Sequence, residues 1–383
     1  MKKVLFTIGI FSLTIMYAAA QTTAKEWYDK GVNLKVEKKY EDAIVALKKA
    51  ANLNSSYDQA WYMLGWCYNE LEKYEDALNA LQKVKTYNEV NKANQNFEMG
   101  FAYYMLLKYD EALEKFNATI DFNPEYMLAY KERGNCYYKM KDYEKALDDF
   151  NTYTSKTNEI SESGFFHKKG WCENELEKYE DAVVSLKRSI ALDNSFPETY
   201  NELGYAYYKL NKNDESISQY HNAYKISKET YYTALKGIAN VYYDNLKNYD
   251  SALVYLEKYA QFQKKDKVVY YKIGWCYNNM DKFEKAISFL EQALALDDEY
   301  EYAKTELGYA NYKLGYYDKA LKIFLAIMQQ NPKDILSRYY AGSCYYYKKD
   351  QKNLQKMIDE LTALNTKDAL QFATTLKEYI QKF

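Results

Sequence analysis

Five cysteines, two histidines and an abundance of carboxylates are the residues of this 383-residue chain whose types could do chemistry. Cys67, Cys136, Cys172, Cys276 and Cys344 each lie two residues after a glycine, so they occupy one repeated slot. As thiols they could be nucleophiles, metal ligands or disulfide partners. Even Cys136 and Cys172, in neighbouring units, are expected about 10 Å apart, the usual distance between packed helices. A disulfide needs Cα atoms within about 7 Å. Their expected role is as small apolar fillers. His167 and His221 fit no metal-ligand spacing, and no H-E-x-x-H occurs. In stretches such as ELEKYEDA (Glu70 to Ala77), carboxylates alternate with Lys73 and Tyr74, the pattern of a solvated, salt-bridged helix face. No glycine-rich phosphate loop is present. The expectation is no catalytic residue, no metal site and no cofactor, hence a chain that is not an enzyme.

The slot that holds the cysteines belongs to a repeat. Gly31, Gly65, Gly100, Gly134, Gly170, Gly204, Asn240, Gly274, Gly308 and Gly342 follow one another at 34 to 36 residues. Three residues after these positions stand Tyr68, Tyr103, Tyr137, Tyr207, Tyr243, Tyr277 and Tyr345. Nine residues after stand Tyr40, Tyr74, Tyr109, Tyr143, Tyr179, Tyr249, Phe283 and Tyr317, and twelve after, Ala43, Ala77, Ala112, Ala146, Ala182, Ala252, Ala286 and Ala320. Within one unit, Trp61, Leu64, Cys67, Tyr68 and Leu71, then Ala77, Leu78, Leu81 and Val84, recur at helical spacing. That describes two amphipathic helices joined by a turn near Glu72 to Tyr74. Gly and Ala fall where the helices come closest. A longer period overlies this one. GWCYNELEKYEDA at Gly65 returns as GWCENELEKYEDA at Gly170 and GWCYNNMDKFEKA at Gly274, so the copied block is three units. The seventh unit, with Asn240 for glycine, is expected to pack more loosely. Glu173 and Asn311 replace the first tyrosine of their units.

On these residues the chain resembles the tetratricopeptide repeat family, whose period is 34, over about Ala24 to Asn365. The resemblance implies an all-α, right-handed superhelical solenoid of about ten helix-turn-helix repeats, spanning 21–365. Residues 366–383 are expected to form a capping helix over the last apolar face. In this family the first helix of each pair lines the concave groove. The positions that would face it are Tyr62, Trp66 and Asn69; Phe97, Phe101 and Tyr104; Lys131, Asn135 and Tyr138; His167, Trp171 and Asn174; Asn201, Tyr205 and Tyr208; Tyr271, Trp275 and Asn278; Tyr309 and Tyr312. Asn279, Thr305 and Lys313 belong to the same set. The tryptophans have a second expected role, packing between neighbouring first helices. The asparagines too have a second, holding inter-repeat backbone or water. The lysines are too scattered for the family's carboxylate clamp.

Formal net charge is -2 with 46 tyrosines and three prolines, and nothing favours nucleic acid. MKK followed by an apolar run from Val4 to Ala20 reads as a secretory signal over 1–20, cut after Ala20; the alternative is an uncleaved anchor. No other stretch reads as a membrane span. The Lys-, Asn- and Tyr-rich composition and Gln21 after the cut resemble exported proteins of the Bacteroidota. The expected function is an exported protein-protein interaction scaffold, periplasmic or extracellular, serving envelope assembly or secretion. The alternatives are a carbohydrate or cell-wall binding module and an accessory subunit of an envelope enzyme.

Overall fold

The computed structural model describes residues 23–85 and 89–382. The signal segment expected at 1–20 lies outside them. All regular structure among the described residues is helical, and the chain divides after Leu192 into two compact units. The first holds five helix pairs: α1 (23–36) with α2 (Tyr40–Leu53), α3 (Asp58–Glu70) with α4 (Tyr74–Leu81), α5 (Glu89–Met105) with α6 (Tyr109–Phe122), α7 (Met127–Lys139) with α8 (Tyr143–Lys156), and α9 (Ser163–Glu175) with α10 (Tyr179–Leu192). The second holds α11 (Pro197–Lys209) with α12 (Asn213–Ile226), α13 (Thr233–Asn240) with α14 (Tyr249–Phe262), α15 (Lys267–Asn279) with α16 (Phe283–Leu296), α17 (Glu301–Lys313) with α18 (Tyr317–Gln330), and α19 (Ile335–Tyr347) with α20 (Gln351–Leu364). A final helix, α21 (Lys367–Ile380), lies against α19 and α20. Within each unit, pairs stack on their neighbours, so each apolar face is covered by the next pair.

The repeated glycine has a steric cause. A Cβ on Gly65 would stand 2.5 Å from Cγ of Leu81, on Gly170 2.5 Å from Cγ of Leu186, and on Gly274 2.5 Å from Cγ of Leu290. In the units that follow, the opposing side chain is a ring: Phe116 against Gly100, Tyr220 against Gly204 and Phe324 against Gly308. Each of these partners lies in the second helix of the same pair and is buried. Gly342 is the exception, because Leu376 of α21 meets it at 2.5 Å. The final helix thus supplies the knob that the last pair lacks.

Each pair turns over one residue in left-handed backbone conformation, always seven residues after the repeat glycine. Lys38, Glu72, Leu107, Lys141, Glu177, Asn211, Lys247, Asp281, Gly315 and Lys349 have φ between 52° and 76°. The next residue's N–H then reaches back to the carbonyl five residues earlier, as Lys73 does to Tyr68 and Lys282 to Tyr277, at 2.9 Å. This is the Schellman closure of a helix end.

The seventh pair departs from the pattern in an unexpected way. Rather than loosening, α13 widens into a π-turn over Val241–Asn245, and Asn248 N–H reaches six residues back, to Tyr242. One extra residue is thereby absorbed inside the helix. The close approach shifts to Gly237, where a Cβ would lie 2.4 Å from Tyr220. Leu235, Ile238 and Leu256 remain almost wholly buried there. The two tyrosine replacements are buried polar groups with local partners: Glu173 pairs with Lys169, and Asn311 donates to Leu307 O at 2.8 Å.

Candidate binding groove

In the first unit, α3 presents Trp66 half-buried, edge-on to Tyr40 at 5.8 Å between centroids. The Lys35 ammonium lies 3.8 Å from the same ring's centroid. One turn on, Asn69 is buried. Its Nδ2 donates to Glu98 O at 3.1 Å and to Glu98 Oε2 at 2.8 Å. The amide therefore ties α3 to both backbone and side chain of α5. Burial pushes the Glu98 carboxyl up to about 7, although the Asn69 hydrogen bond and the Lys35 charge pull it down. Tyr62 packs, partly buried, on the core of this region. Phe97 contacts the rings of Phe116 and Tyr126, Phe101 that of Tyr74, and Tyr104 that of Tyr109.

On α7, Asn135 is also buried, donating to Glu132 Oε2 at 2.8 Å and accepting from Lys168 Nζ at 2.8 Å. Lys131 sits between Glu132 and Glu162, at 3.3 and 3.0 Å. Burial lowers its pKa, but the two carboxylates outweigh that and leave it raised. Tyr138 meets Tyr143 and the edge of Trp171, and His167 lies 6.1 Å from Trp171. Asn174 is buried on α9.

In the second unit, Asn201 lies 3.5 Å from Glu202 Oε1. Tyr205 and Tyr208 are ring neighbours, and the Tyr208 hydroxyl donates to Asp244 at 3.0 Å. Tyr271 packs with Tyr300 and Tyr302, and Tyr312 with Tyr317, Tyr340 and Tyr347. Trp275 stands edge-on to Tyr243 and Tyr249, at 5.1 and 4.7 Å. Asn278 repeats the geometry of Asn69. It is buried, and its Nδ2 donates to Glu306 O at 3.1 Å and to Glu306 Oε2 at 2.7 Å.

The structure gathers part of the expected groove into one cavity. Trp275, Asn278, Asn279, Thr305 and Tyr309 line a hollow of about 320 Å³, together with Asp281, Glu306, Leu336 and Tyr340. Two larger hollows in the same unit, of about 580 and 540 Å³, contain none of the expected groove residues. Reading the sequence singled out Asn69 and Asn278 but missed their partners, Glu98 and Glu306. A signal was there: each asparagine stands four residues after its glycine, and each glutamate two residues before the next.

No group of three or more potential metal ligands occurs among the described residues. The five cysteines are free and buried, and burial pushes each thiol up to about 12. No described helix is long and apolar enough to cross a membrane.

Comparison with known proteins agrees with this geometry. Family models described as tetratricopeptide repeat match residues 37–92 and 280–341, 128–152, and 197–230; one described as TPR repeat matches 173–211. A TPR repeat-containing protein of Methanocaldococcus jannaschii is 25% identical over 279 residues, covering 66% of this chain and 48% of the relative. Anaphase-promoting complex subunit 3 of Schizosaccharomyces pombe is 21% identical over 229 residues, covering 58% of this chain and 33% of the relative. The chain thus spans half or less of the length of these curated relatives. Among solved structures, YrrB, described as a TPR protein with an unusual peptide-binding site, aligns at TM-score 0.47 and 21% identity, over 50% of this chain and 97% of its own. One chain of the APC/C hetero-tetramer Cut9–Hcn1 aligns at 0.44 and 14%, over 92% of this chain and 76% of its own. The family matches fall on the array of helices that the glycine register and left-handed turns define, and they identify the chain as a tetratricopeptide-repeat protein.

Proposed function

We propose that the chain is a non-catalytic scaffold that holds an extended segment of a partner protein against the first helices of its pairs. TPR proteins in general mediate protein–protein interaction. The observation that carries the reading is the cavity beside Trp275. There, rings and hydrogen-bonding side chains from α15, α17 and α19 converge on one space. Such a preformed surface leaves the ordering entropy to the incoming segment. A glycan-binding reading draws less support. Trp66 already carries Lys35, and among the described residues no second flat ring lies parallel to Trp275, whose contacts with Tyr243 and Tyr249 are steeply inclined. The leader-like segment at 1–20 supports export and a role at the cell envelope.

A photo-crosslinking amino acid placed at Tyr309, and separately at the exposed Val254 of α14, tests the groove in cells. Discrete protein adducts from Tyr309 and none from Val254 are expected. Adducts from Val254 alone would overturn the groove assignment, and fractionation of the same cells tests export.

A further inference from the structure

We propose that the 320 Å³ cavity beside Trp275 receives one cationic side chain, lysine or arginine, of the bound segment. This inference rests on the peptide-groove reading and deepens it. The volume lies at the low end of ligand sites, suiting a single long side chain. Its walls are the rings of Trp275, Tyr309 and Tyr340, and its acceptors are the carboxylates of Glu306 and Asp281; no lysine or arginine lines it. Rings around carboxylates suit a cation on a hydrocarbon stem, which is attracted to ring faces as well as to the opposite charge.

Glu306 is under-compensated. Its carboxylate accepts a hydrogen bond from Asn278 and takes part in none of the ion pairs among the described residues. Asn278 is 3% exposed, and its Oδ1 has no donor. Burial raises the Glu306 carboxyl above the ordinary range, with the Asn278 bond only partly offsetting it. An apolar side chain would leave these acceptors unpaired, and an acidic one would add repulsion.

The first unit shows what complements such a site. There the corresponding carboxylate, Glu98, feels the charge of Lys35, whose ammonium lies over Trp66. Lys35 stands four residues after Gly31. Four residues after Asn240, the second unit has Asp244, which is already bound by Tyr208 and Lys272. Of the two copies of the Trp–Asn–Glu arrangement in which the Asn–Glu bond is seen, the chain therefore brings its own lysine to the tryptophan of the first; at the second, Lys313 lies over Tyr309 and Phe283 instead, 5.9 and 5.5 Å from their centroids.

The probe is a random twelve-residue peptide library, displayed on phage and selected against the full chain. Lysine or arginine is expected to recur at one fixed position. Exchanging that residue for glutamine in a labelled selected peptide should weaken binding about tenfold by fluorescence anisotropy, as expected for a close charge pair. Glu306→Gln keeps an acceptor for Asn278 and should weaken the parent peptide to the same degree. It should leave the glutamine peptide unchanged, so the two losses are not additive. Asp281→Asn, at an exposed left-handed turn residue that asparagine tolerates, should give a smaller loss in the same direction. Circular dichroism melting checks that both variants fold. Unchanged affinity in a folded Glu306→Gln variant overturns the proposal. Selected peptides without a fixed basic residue, but competed by groove substitutions, overturn the cation site and leave the peptide groove standing. No enriched peptide at all overturns both.

Discussion

Helix α9 contains two glycines six residues apart, and they are predicted to respond oppositely to the same substitution. A Cβ on Gly164 meets nothing within 4 Å, whereas on Gly170 it lies 2.5 Å from Cγ and 2.8 Å from Cδ2 of Leu186, which is fully buried. Alanine in place of helical glycine is worth about 0.5–1 kcal/mol through backbone entropy, somewhat less in the first turn. Gly164→Ala should therefore stabilise by roughly 0.5 kcal/mol. At Gly170 the same gain is set against overpacking of a core contact, about 1–3 kcal/mol. Because Leu186 is held on all sides, the clash should win, for a net loss of about 0.5–2 kcal/mol. Subtracting one variant from the other removes most of the propensity contribution and leaves the steric one. The assay is urea unfolding followed by circular dichroism and by tryptophan fluorescence, for which Trp171 is adjacent. Leu186→Ala in both backgrounds completes a cycle. Alone it should destabilise by about 2–5 kcal/mol, and with Gly170→Ala the two losses should fall short of their sum by 1 kcal/mol or more, roughly the steric term. Equal stability of the two alanine variants, or strict additivity with Leu186→Ala, would refute the account of why glycine recurs.

Two further predictions concern buried charge in the first unit. Glu98 has a folded pKa of about 7 against an ordinary 4.5, so the folded state holds its proton more tightly than the unfolded state. That contribution is fully present below pH 4.5 and is lost as pH rises through 7, amounting to roughly 3 kcal/mol at most. Glu98→Gln, which keeps an acceptor for Asn69, should flatten this part of the stability–pH curve and raise stability at pH 8, measured by denaturant titration at each pH. Arg133 forks onto the buried Asp149 through Nε and Nη2, at 2.8 and 2.7 Å. Arg133→Met should destabilise by about 3 kcal/mol at pH 8 by stranding a carboxylate. The loss should shrink as the pH is lowered, because burial already holds the Asp149 carboxyl above its usual range and a protonated Asp149 strands no charge; equal losses at pH 8 and at the lower pH would count against this.

The fold was legible because one residue type marks one geometric event. Glycine at a helix crossing, alanine twelve residues on and ring residues between them fix the pairing and its phase. The turn geometry was not legible, since Glu72, Leu107 and Lys141 give no hint of left-handed backbone. Their conformation is imposed by the helices on either side. Asn240 in place of glycine marked the seventh unit as irregular, but a π-turn and a looser crossing read alike in sequence. At the site, Trp275, Asn278 and Tyr309 do share a cavity. The asparagines were legible by position but not by occupation. Whether an amide faces a ligand or the next helix depends on side-chain direction across an interface, which periodicity does not carry. Glu98 and Glu306 make the difference in the two copies where the bond is seen.

Among the ten described turns within helix pairs, a single one uses glycine at the left-handed position and one other asparagine; the rest employ residues that resist it by about 1–2 kcal/mol each. A hinge that persists against its own preference is obeying its neighbours. These linkers can therefore drift in identity while the architecture stays put. Their side chains, which point outward at regular intervals, are free to diversify without endangering the scaffold beneath them.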